Sequence, residues 1–339
     1  MATFAGWVDR LRGLDLERAL GLRATPPRVT LELDRPLIAL VRLRPVRGGR
    51  LVLEDHQLAA DDEPAVPASI FDSGVPSVER LAERFRGVFE RSGIRPGRVG
   101  LVLPDNLAKV ALVSLPERPP SRRQLLELIR FKLHRSVPFR LVEAAVTYQL
   151  LPGDGPGVTV LVALTRQPLV GRYEQALESI GARPGLIDLC TPNLLNLCRT
   201  RIQELSAAGD VALLNCTTTY FSLAILRGAR LVFFRCKNLA AANGDGREGP
   251  RADGLFAREI AGSVSYYREK LGGQGIASVL VRSVAGSVDE IAAHLGELGA
   301  SRIEGLEPAV GSALGPGVAL EPGLAHRLAP ALGVAVGRG

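Results

Sequence analysis

The chain has 339 residues, which is enough for about two domains that each bury a hydrophobic core. Hydrophobic residues make up 46% of it and charged residues 23%, and this composition excludes a globally disordered chain. The net charge is +7, and 14 basic against 5 acidic residues between Arg80 and Arg140 place a net +9 in that one segment. Such a segment indicates nucleic acid, acidic lipid or an acidic partner, or else a solvated helical face.

Several classes of protein are excluded by what the sequence lacks. The longest uncharged stretch, Val211–Leu226, has 16 residues and includes polar ones, whereas a membrane-spanning helix needs about 20 mainly apolar residues. We therefore expect neither a transmembrane helix nor a signal peptide. The four cysteines lack the CxxC spacing of metal sites and are expected to be buried free thiols, and no histidine lies in a catalytic motif.

The N-terminal segment, residues 3–22, carries apolar side chains at helical spacing and predicts an amphipathic helix. Such a helix fits two roles, since it can lie on a membrane surface or dock on a protein body, and we favour docking. The sequence Thr25-Pro26-Pro27 then ends the segment.

The first half of the chain beyond that segment combines short strands with helices. Apolar alternation predicts strands at 29–33, 37–43, 51–53, 100–103, 109–115, 142–151, 158–164 and 186–189. Helical spacing and capping residues predict helices at 78–92, 122–136, 169–180 and 193–205. Residues 61–77 are rich in Pro, Asp and Ser and predict a loop.

The second half repeats this arrangement. Strands are predicted at 211–214, 221–226, 230–235 and 279–281, with a hairpin turn at Arg227-Gly228-Ala229. Helices are predicted at 255–271, 288–298 and 325–336, and loops at 239–254 and 311–322. Because each half places strands before helices, the pattern indicates two α/β units and not one doubly wound sheet.

Two central segments and the C-terminus resemble a known family, the PilM family of type IV pilus assembly proteins. The run SRRQLLELIRFKLHRSVPFRLVEAAVTYQLL at 121–151 is similar to its helix-to-strand motif at Ile129, Val137-Pro138-Phe139, Glu143 and Gln149-Leu150. Residues 158–189 resemble the strand–helix–strand that follows, at Val170, Tyr173, Leu177, Gly181, Pro184, Ile187 and Asp188. The run Leu332-Gly333-Val334-Ala335 resembles the closing motif of the family.

The resemblance implies an α/β chain with the actin-like fold: two ribonuclease-H-like domains around a cleft, with an inserted FtsA-type subdomain. It implies an N-terminal helix and linker at 1–27 and a first domain at 28–205, with the insertion at about 98–166. The second domain is then 206–339, and its C-terminal helix is expected to return to the first domain. The gap Lys237–Gly254 is too short for the small helical subdomain that the family has in its second half.

The first phosphate loop of the family consists of an acidic residue that holds hydrated magnesium, a glycine that lets the backbone approach the phosphates, and a lysine. By the resemblance, the acid persists here as Glu32, the glycine is Asp34 and the lysine is Ala39. The carboxyl group of Asp34 adds negative charge beside the phosphates, and Ala39 removes a cation.

The second phosphate loop and the adenine site have changed in the same direction. The acid, glycine and threonine of the loop correspond to Asn215, Thr217 and Phe221, and the adenine-binding glycines to Arg282 and Ser283. Each lost contact weakens ATP binding by about 1–3 kcal/mol. ATP and magnesium are the family's cofactors, but we expect this chain to hydrolyse no ATP, to have no catalytic residues and to need no cofactor or metal.

The resemblance also implies a partner and a location. Family members are bacterial cytoplasmic proteins beneath the inner membrane, and they bind a cytoplasmic N-terminal peptide of PilN, a single-span protein, in a groove at the inserted subdomain. We expect a PilN-like partner, with other pilus platform components possible and no nucleic acid. The expected groove residues, each with core packing as its alternative, are Leu103, Leu112, Ile129, Phe131, Val137, Pro138 and Phe139. The expected membrane-facing residues are Arg122, Arg123 and Arg130.

Three alternatives stay open at this point. A GspL-like cytoplasmic domain of type II secretion has a related fold but continues into a transmembrane helix, which we do not expect here. An active actin-like ATPase is supported by Glu32 and opposed by the lost glycines. A nucleic-acid binder would use the basic segment, but that segment has few aromatic residues on which bases can stack.

Overall fold

A computed structural model describes residues 26–35, 37–46, 51–60, 65–72, 74, 76–137, 139–151, 157–228, 230–239, 254–314 and 318–336. The predicted N-terminal helix at 3–22 lies outside these residues, as does most of the predicted loop at 239–254. The chain divides into two compact units. The first runs to Asn193 and includes the residues from Ala331 onward, and the second is Leu194–Pro330.

The first unit contains the following elements in chain order: β1 (Val29–Asp34), β2 (Leu37–Pro45), β3 (Leu51–Ala60), α1 (Val78–Ser92), β4 (Arg98–Leu103), β5 (Lys109–Leu115), α2 (Arg122–Leu133), β6 (Ala144–Leu151), β7 (Val158–Arg166), α3 (Gln167–Ser179), β8 (Arg183–Leu189) and the start of α4 (Cys190–Leu197). Its main sheet has the order β3-β2-β1-β4-β8. β1, β2 and β3 form an antiparallel meander, whereas β4 and β8 run parallel to β1. This is the strand order of a ribonuclease-H-like domain.

Between β4 and β8 the chain forms the inserted subdomain, Lys109–Arg166. Its three strands pair antiparallel in the order β5-β7-β6. Helix α2 covers one face of this sheet, because its apolar stripe of Leu125, Ile129 and Leu133 packs against the strands in a single core cluster. The strand residues in that cluster are Val113, Leu115, Tyr148, Val160, Val162 and Leu164.

Helix α2 ends three residues before its predicted end at Ser136. The backbone N–H and the hydroxyl of Ser136 both donate to the carbonyl of Leu133, at 2.9 and 2.7 Å. These bonds satisfy a terminal carbonyl of the helix locally, in place of the next helical turn.

The second unit contains α5 (Arg199–Leu205), β9 (Asp210–Cys216), β10 (Tyr220–Arg227), β11 (Arg230–Asn238), α6 (Leu255–Leu271), β12 (Ile276–Ser283), α7 (Val288–Ala292), β13 (Arg302–Gly305), α8 (Glu307–Ser312) and most of α9 (Pro322–Val336). Its sheet has the order β11-β10-β9-β12-β13, with an antiparallel meander followed by two parallel strands. The ribonuclease-H-like order of the first unit is thus repeated. The predicted hairpin is present between β10 and β11, and Gly228 in its turn has a φ of 59°, which favours glycine.

Some predicted elements differ from the structure. The helix predicted at 193–205 is two helices that meet at Cys198, although i→i−4 hydrogen bonds continue on both sides of that residue. The helix predicted at 288–298 is α7 followed by a short 3-10 turn at Gly296–Leu298. Strand β13 and helix α8 were not predicted, and the predicted loop at 311–322 begins inside α8.

Close packing between two helical segments requires Gly333 of the closing motif. A Cβ atom at Gly333 of α9 would overlap the carbonyl oxygen of Asn193 in α4. Only glycine allows these two helical segments to approach so closely.

Candidate functional site

The turn between β9 and β10 is closed by its own side chain. The hydroxyl of Thr217 accepts hydrogen bonds from the backbone N–H groups of Thr219 and Tyr220, at 3.2 and 3.1 Å, and donates to the carbonyl of Tyr220 at 3.0 Å. A hydroxyl has one donor and two acceptor positions, so these bonds use all three. Two N–H groups that a phosphate loop would aim at a ligand are therefore bonded within the turn.

Asn215 and Arg282 lie opposite each other on the neighbouring strands β9 and β12. Arg282 Nη1 donates to Asn215 Oδ1 at 3.0 Å, and its Nε donates to the carbonyl of His326 at 2.8 Å. The Asn215 amide donates in turn to the hydroxyl of Tyr220 at 3.3 Å. Arg282 is only 1% exposed, so a guanidinium group occupies the interior at the end of β12, and the amide oxygen of Asn215 is bonded to it.

Ser283 extends this network to a histidine. His326 Nδ1 lies 2.9 Å from the backbone nitrogen and 3.1 Å from the carbonyl oxygen of Ser283, and Nε2 faces the backbone N–H of Leu306 at 3.4 Å and Glu307 Oε1 at 3.1 Å. Burial lowers the pKa of His326, and Glu307 opposes this shift. The ring is therefore neutral at pH 7 and serves as a hydrogen-bonded link inside the second unit.

Phe221, where the resemblance leads us to expect a threonine, belongs to the core. It is fully buried, and its ring meets that of Phe256 edge to face with centroids 5.1 Å apart. Such aromatic pairs stabilise a core beyond the area that they bury. This position therefore contributes packing and no hydroxyl group.

The first unit places Glu32 in a row of directly opposed residues across its sheet. Ala39 of β2 and Val102 of β4 flank Glu32, and Asp188 of β8 follows Val102. Both carboxyl side chains are buried, and the row contains no lysine.

Asp34 makes a local contact. Its carboxylate accepts a hydrogen bond from the backbone N–H of the next residue, Arg35, at 2.8 Å. Among the residues that the structure describes, no cluster of three or more His, Cys, Asp or Glu side chains is suited to hold a metal ion.

The residues expected to line a partner groove fall into different environments. Leu103 and Ile129 are fully buried and contribute to core packing. Val137 packs against the edge of the subdomain core. Phe131 is 74% exposed on α2. Pro138 lies outside the described residues.

Leu112 lies on the face of the inserted sheet that α2 does not cover, which we call the second face. It comprises Val110, Leu112, Thr147, Gln149, Leu161 and Ala163. Thr147 Oγ1 and Gln149 Oε1 are buried here and form no hydrogen bond with any described residue. These two atoms therefore have hydrogen-bonding capacity that the described residues do not use.

Phe139 lies beside residues that the sequence did not single out. The guanidinium of Arg166, at the end of β7, lies 5.5 Å from the centre of the Phe139 ring. Backbone hydrogen bonds from Ala68 and Gly74 hold the pKa of Asp72 below its usual value, and Arg35 and Arg166 add to this effect. We call Phe71, Asp72, Phe139 and Arg166 the Arg166 cluster.

Phe71 of this cluster is 67% exposed, so the cluster offers an aromatic surface beside two charged groups. No sequence signal joined Arg166 to a loop residue nearly a hundred positions earlier, because only the tertiary fold brings them together. Hydrophobic and charged residues in a loop rich in Pro, Asp and Ser do not indicate a site by themselves.

The three arginines expected to face the membrane are all exposed on α2. Arg123 pairs with Glu127 at 3.0 Å, with both side chains largely in solvent. Such a surface pair contributes little to stability. These arginines are therefore available for contacts outside the chain.

No family model matches the chain, and no curated protein matches it in sequence. A solved structure described as a PilM-PilN type IV pilus biogenesis complex has a TM-score of 0.68 at 20% identity and covers 92% of this chain and 98% of that one. More distant structures are a protein of actin-like ATPase fold from Bacteroides thetaiotaomicron (TM-score 0.47, 10% identity, 85% and 93% coverage) and the cytoplasmic domain of EpsL from the type II secretion system of Vibrio cholerae (0.46, 12%, 90% and 94%).

The two ribonuclease-H-like sheets and the inserted three-stranded subdomain define an α/β protein of the actin-like class, as the sequence predicted. Within that class, the chain has the fold of the PilM-PilN structure. Among the described residues, no helix is both long and apolar enough to cross a membrane.

Proposed function

We propose that this chain is a scaffold of the type IV pilus inner-membrane platform that binds the cytoplasmic N-terminal peptide of a PilN-like single-span protein. The observation that carries the proposal is the structural likeness to the PilM-PilN complex over 92% of this chain. The uncovered 8% is too small to contain the inserted subdomain of Lys109–Arg166. At least part of this subdomain, in which we propose that the peptide binds, therefore lies in the region of likeness.

The second face and the Arg166 cluster supply the chemistry that a short peptide requires. Thr147 Oγ1 and Gln149 Oε1 are free to bond backbone N–H and C=O groups, and they lie among apolar side chains. Phe139 and the exposed Phe71 offer aromatic surface to apolar side chains of the peptide. A hydrophobic peptide with unpaired backbone groups fits this combination.

We also propose that the chain neither binds nor hydrolyses ATP. The hydroxyl of Thr217 occupies backbone donors of the second phosphate loop, and Arg282 occupies the amide of Asn215. A nucleotide would have to break these buried bonds before making its own. The scaffold would then act through binding alone, in the cytoplasm beside the inner membrane where its partner is anchored.

A pull-down tests the proposal. The first dozen residues of the PilN-like protein, immobilised on beads, should retain the wild-type protein. Arg166→Ala and Phe139→Ala should each weaken retention, because the cation–π pair would be lost. Arg268→Ala, an exposed residue of α6 in the second unit, is the matched control and should bind as the wild type does. A folded wild-type protein that the peptide does not retain would overturn the proposal.

A further inference from the structure

Helix α2 has an outward face that no described residue of the inserted subdomain covers. Its inward residues Leu125, Ile129 and Leu133 pack on the sheet. Phe131 lies on the opposite side and is 74% exposed, and Leu128 beside it is 40% exposed. Val142, in the separate 3-10 turn Leu141–Glu143, is 76% exposed. Large apolar side chains this open to water are uncommon, and grouped ones mark interaction surfaces.

The segment that carries this face is strongly basic. Between Arg122 and Glu143 there are six basic and two acidic residues, a net +4, and all eight are exposed. The basic residues are Arg122, Arg123, Arg130, Lys132, Arg135 and Arg140. Arg130 and Lys132 each lie about 100° around the helix from Phe131, so a cation stands on either side of the exposed ring.

We propose that the outward face of α2 docks directly on an anionic lipid bilayer. Phe131 and Leu128 enter the boundary between headgroups and acyl chains, and the surrounding cations contact the phosphates. The long stems of Arg130 and Lys132 lie along the apolar layer while their charges stay with the headgroups. The sheet behind α2 holds the helix in place, so no folding step is needed for this contact.

The positive charge around this face favours an anionic bilayer as the binding partner over a second copy of the chain. Two copies meeting through the same face would oppose two surfaces of net +4, which is unfavourable at short distance. An anionic bilayer complements the whole face at once. The proposal goes beyond the proposed function, because the chain itself touches lipid and does not rely only on its partner's span for its position.

Vesicle co-sedimentation of the full chain at physiological salt tests this. The vesicles are phosphatidylcholine alone, or two parts phosphatidylcholine to one part phosphatidylglycerol. Wild-type protein should sediment with the second kind and not the first. Phe131→Ser should lower the partition coefficient about tenfold, and the double variant Arg130→Gln with Lys132→Gln about 25-fold, at about fivefold per charge.

Matched controls lie on α6 of the second unit. Tyr266→Ser removes an exposed aromatic side chain, and Arg268→Gln with Lys270→Gln removes two exposed charges. Both should stay within about twofold of wild type, since these residues belong to another unit and take no part in the outward face of α2. Equal binding to both vesicles, or equal losses for the α2 variants and the controls, overturns the proposal.

The same variants in the peptide pull-down separate this proposal from the proposed function. Phe131→Ser should lose vesicle binding and keep peptide binding. If this variant loses peptide binding and keeps vesicle binding, the outward face of α2 binds a protein partner and the lipid proposal fails. If the wild type binds vesicles but no peptide, the lipid proposal stands and the proposed function fails.

Discussion

Arg282 determines what the end of β12 can bind. A glycine there would leave room for a planar ring, whereas Arg282 brings a buried cation that bonds to Asn215 and to the carbonyl of His326. A buried charge is tolerated only when hydrogen bonds satisfy it. The end of β12 is therefore filled by hydrogen-bonded side chains of the second unit.

The neutral state of His326 has a consequence for stability. In the unfolded chain its ring takes up a proton below about pH 6.5, but burial lowers the pKa of the folded ring. The unfolded state then binds more protons, so stability falls as the pH drops below 6.5, at up to about 1.4 kcal/mol per pH unit. Urea titrations at pH 7.5 and 5.5 should show this loss in the wild type and a smaller one in His326→Gln. His134→Gln, a change on the exposed surface of the inserted subdomain, should keep the wild-type loss. A loss unchanged in His326→Gln would contradict the assignment.

Replacing Thr147 should raise the stability of the chain and weaken its binding of the partner peptide. Its hydroxyl is buried without a partner among the described residues, so Thr147→Val should raise the free energy of unfolding by about 1 kcal/mol. The same change should weaken binding of the partner peptide about five- to tenfold, because a bond to the ligand is lost. Urea titration and calorimetry measure the two effects.

Thr30→Val is the control for this pair of effects. The hydroxyl of Thr30 is also buried without a described partner, but it lies in β1 of the main sheet. It should give a similar gain in stability with no change in peptide affinity. A loss of affinity in both variants, or in neither, would remove the second face from the site.

At the scale of elements, α2 has one face for the core and one for the surroundings. Ile129 is 0% exposed and Phe131 is 74% exposed, two positions apart. Ile129→Ala should lower the free energy of unfolding by about 3 kcal/mol, because it leaves a cavity in the subdomain core. Phe131→Ala should change it by less than about 0.5 kcal/mol. Chemical denaturation measures both, and equal losses would show that α2 packs differently.

The elements that the sequence predicted best have local signals at both ends. Helix α1 was predicted at 78–92, its observed range, because Ser77 caps its start and Gly93 ends it in the left-handed region. Strand β13 and helix α8 lacked such signals. β13 is a short strand set by parallel pairing with β12 and by the ion pair between Glu304 and Arg201 at 2.6 Å. A local sequence pattern does not reveal an interaction between residues about a hundred positions apart, such as this ion pair.

At the scale of the whole molecule, the sequence predicted two α/β units, because a motif of strands before helices recurs in both halves, and the resemblance to a known family supplied the actin-like class. The resemblance also singled out Asn215 and Thr217 as positions at which we expect phosphate contacts to be lost. It did not predict the contacts that these two residues make. The pair of Asn215 and Arg282 joins residues that are far apart in the chain and meet only because β9 and β12 are neighbours. The Arg166 cluster was missed for the same reason.

The central claim is that the chain binds its partner without using nucleotide. Isothermal titration of the PilN-like N-terminal peptide into the full chain, with and without magnesium ATP, tests this most directly. We predict saturable peptide binding whose Kd is the same in both conditions. Absence of peptide binding to a folded protein, or a Kd that changes about tenfold, 1.4 kcal/mol, with ATP, would contradict it.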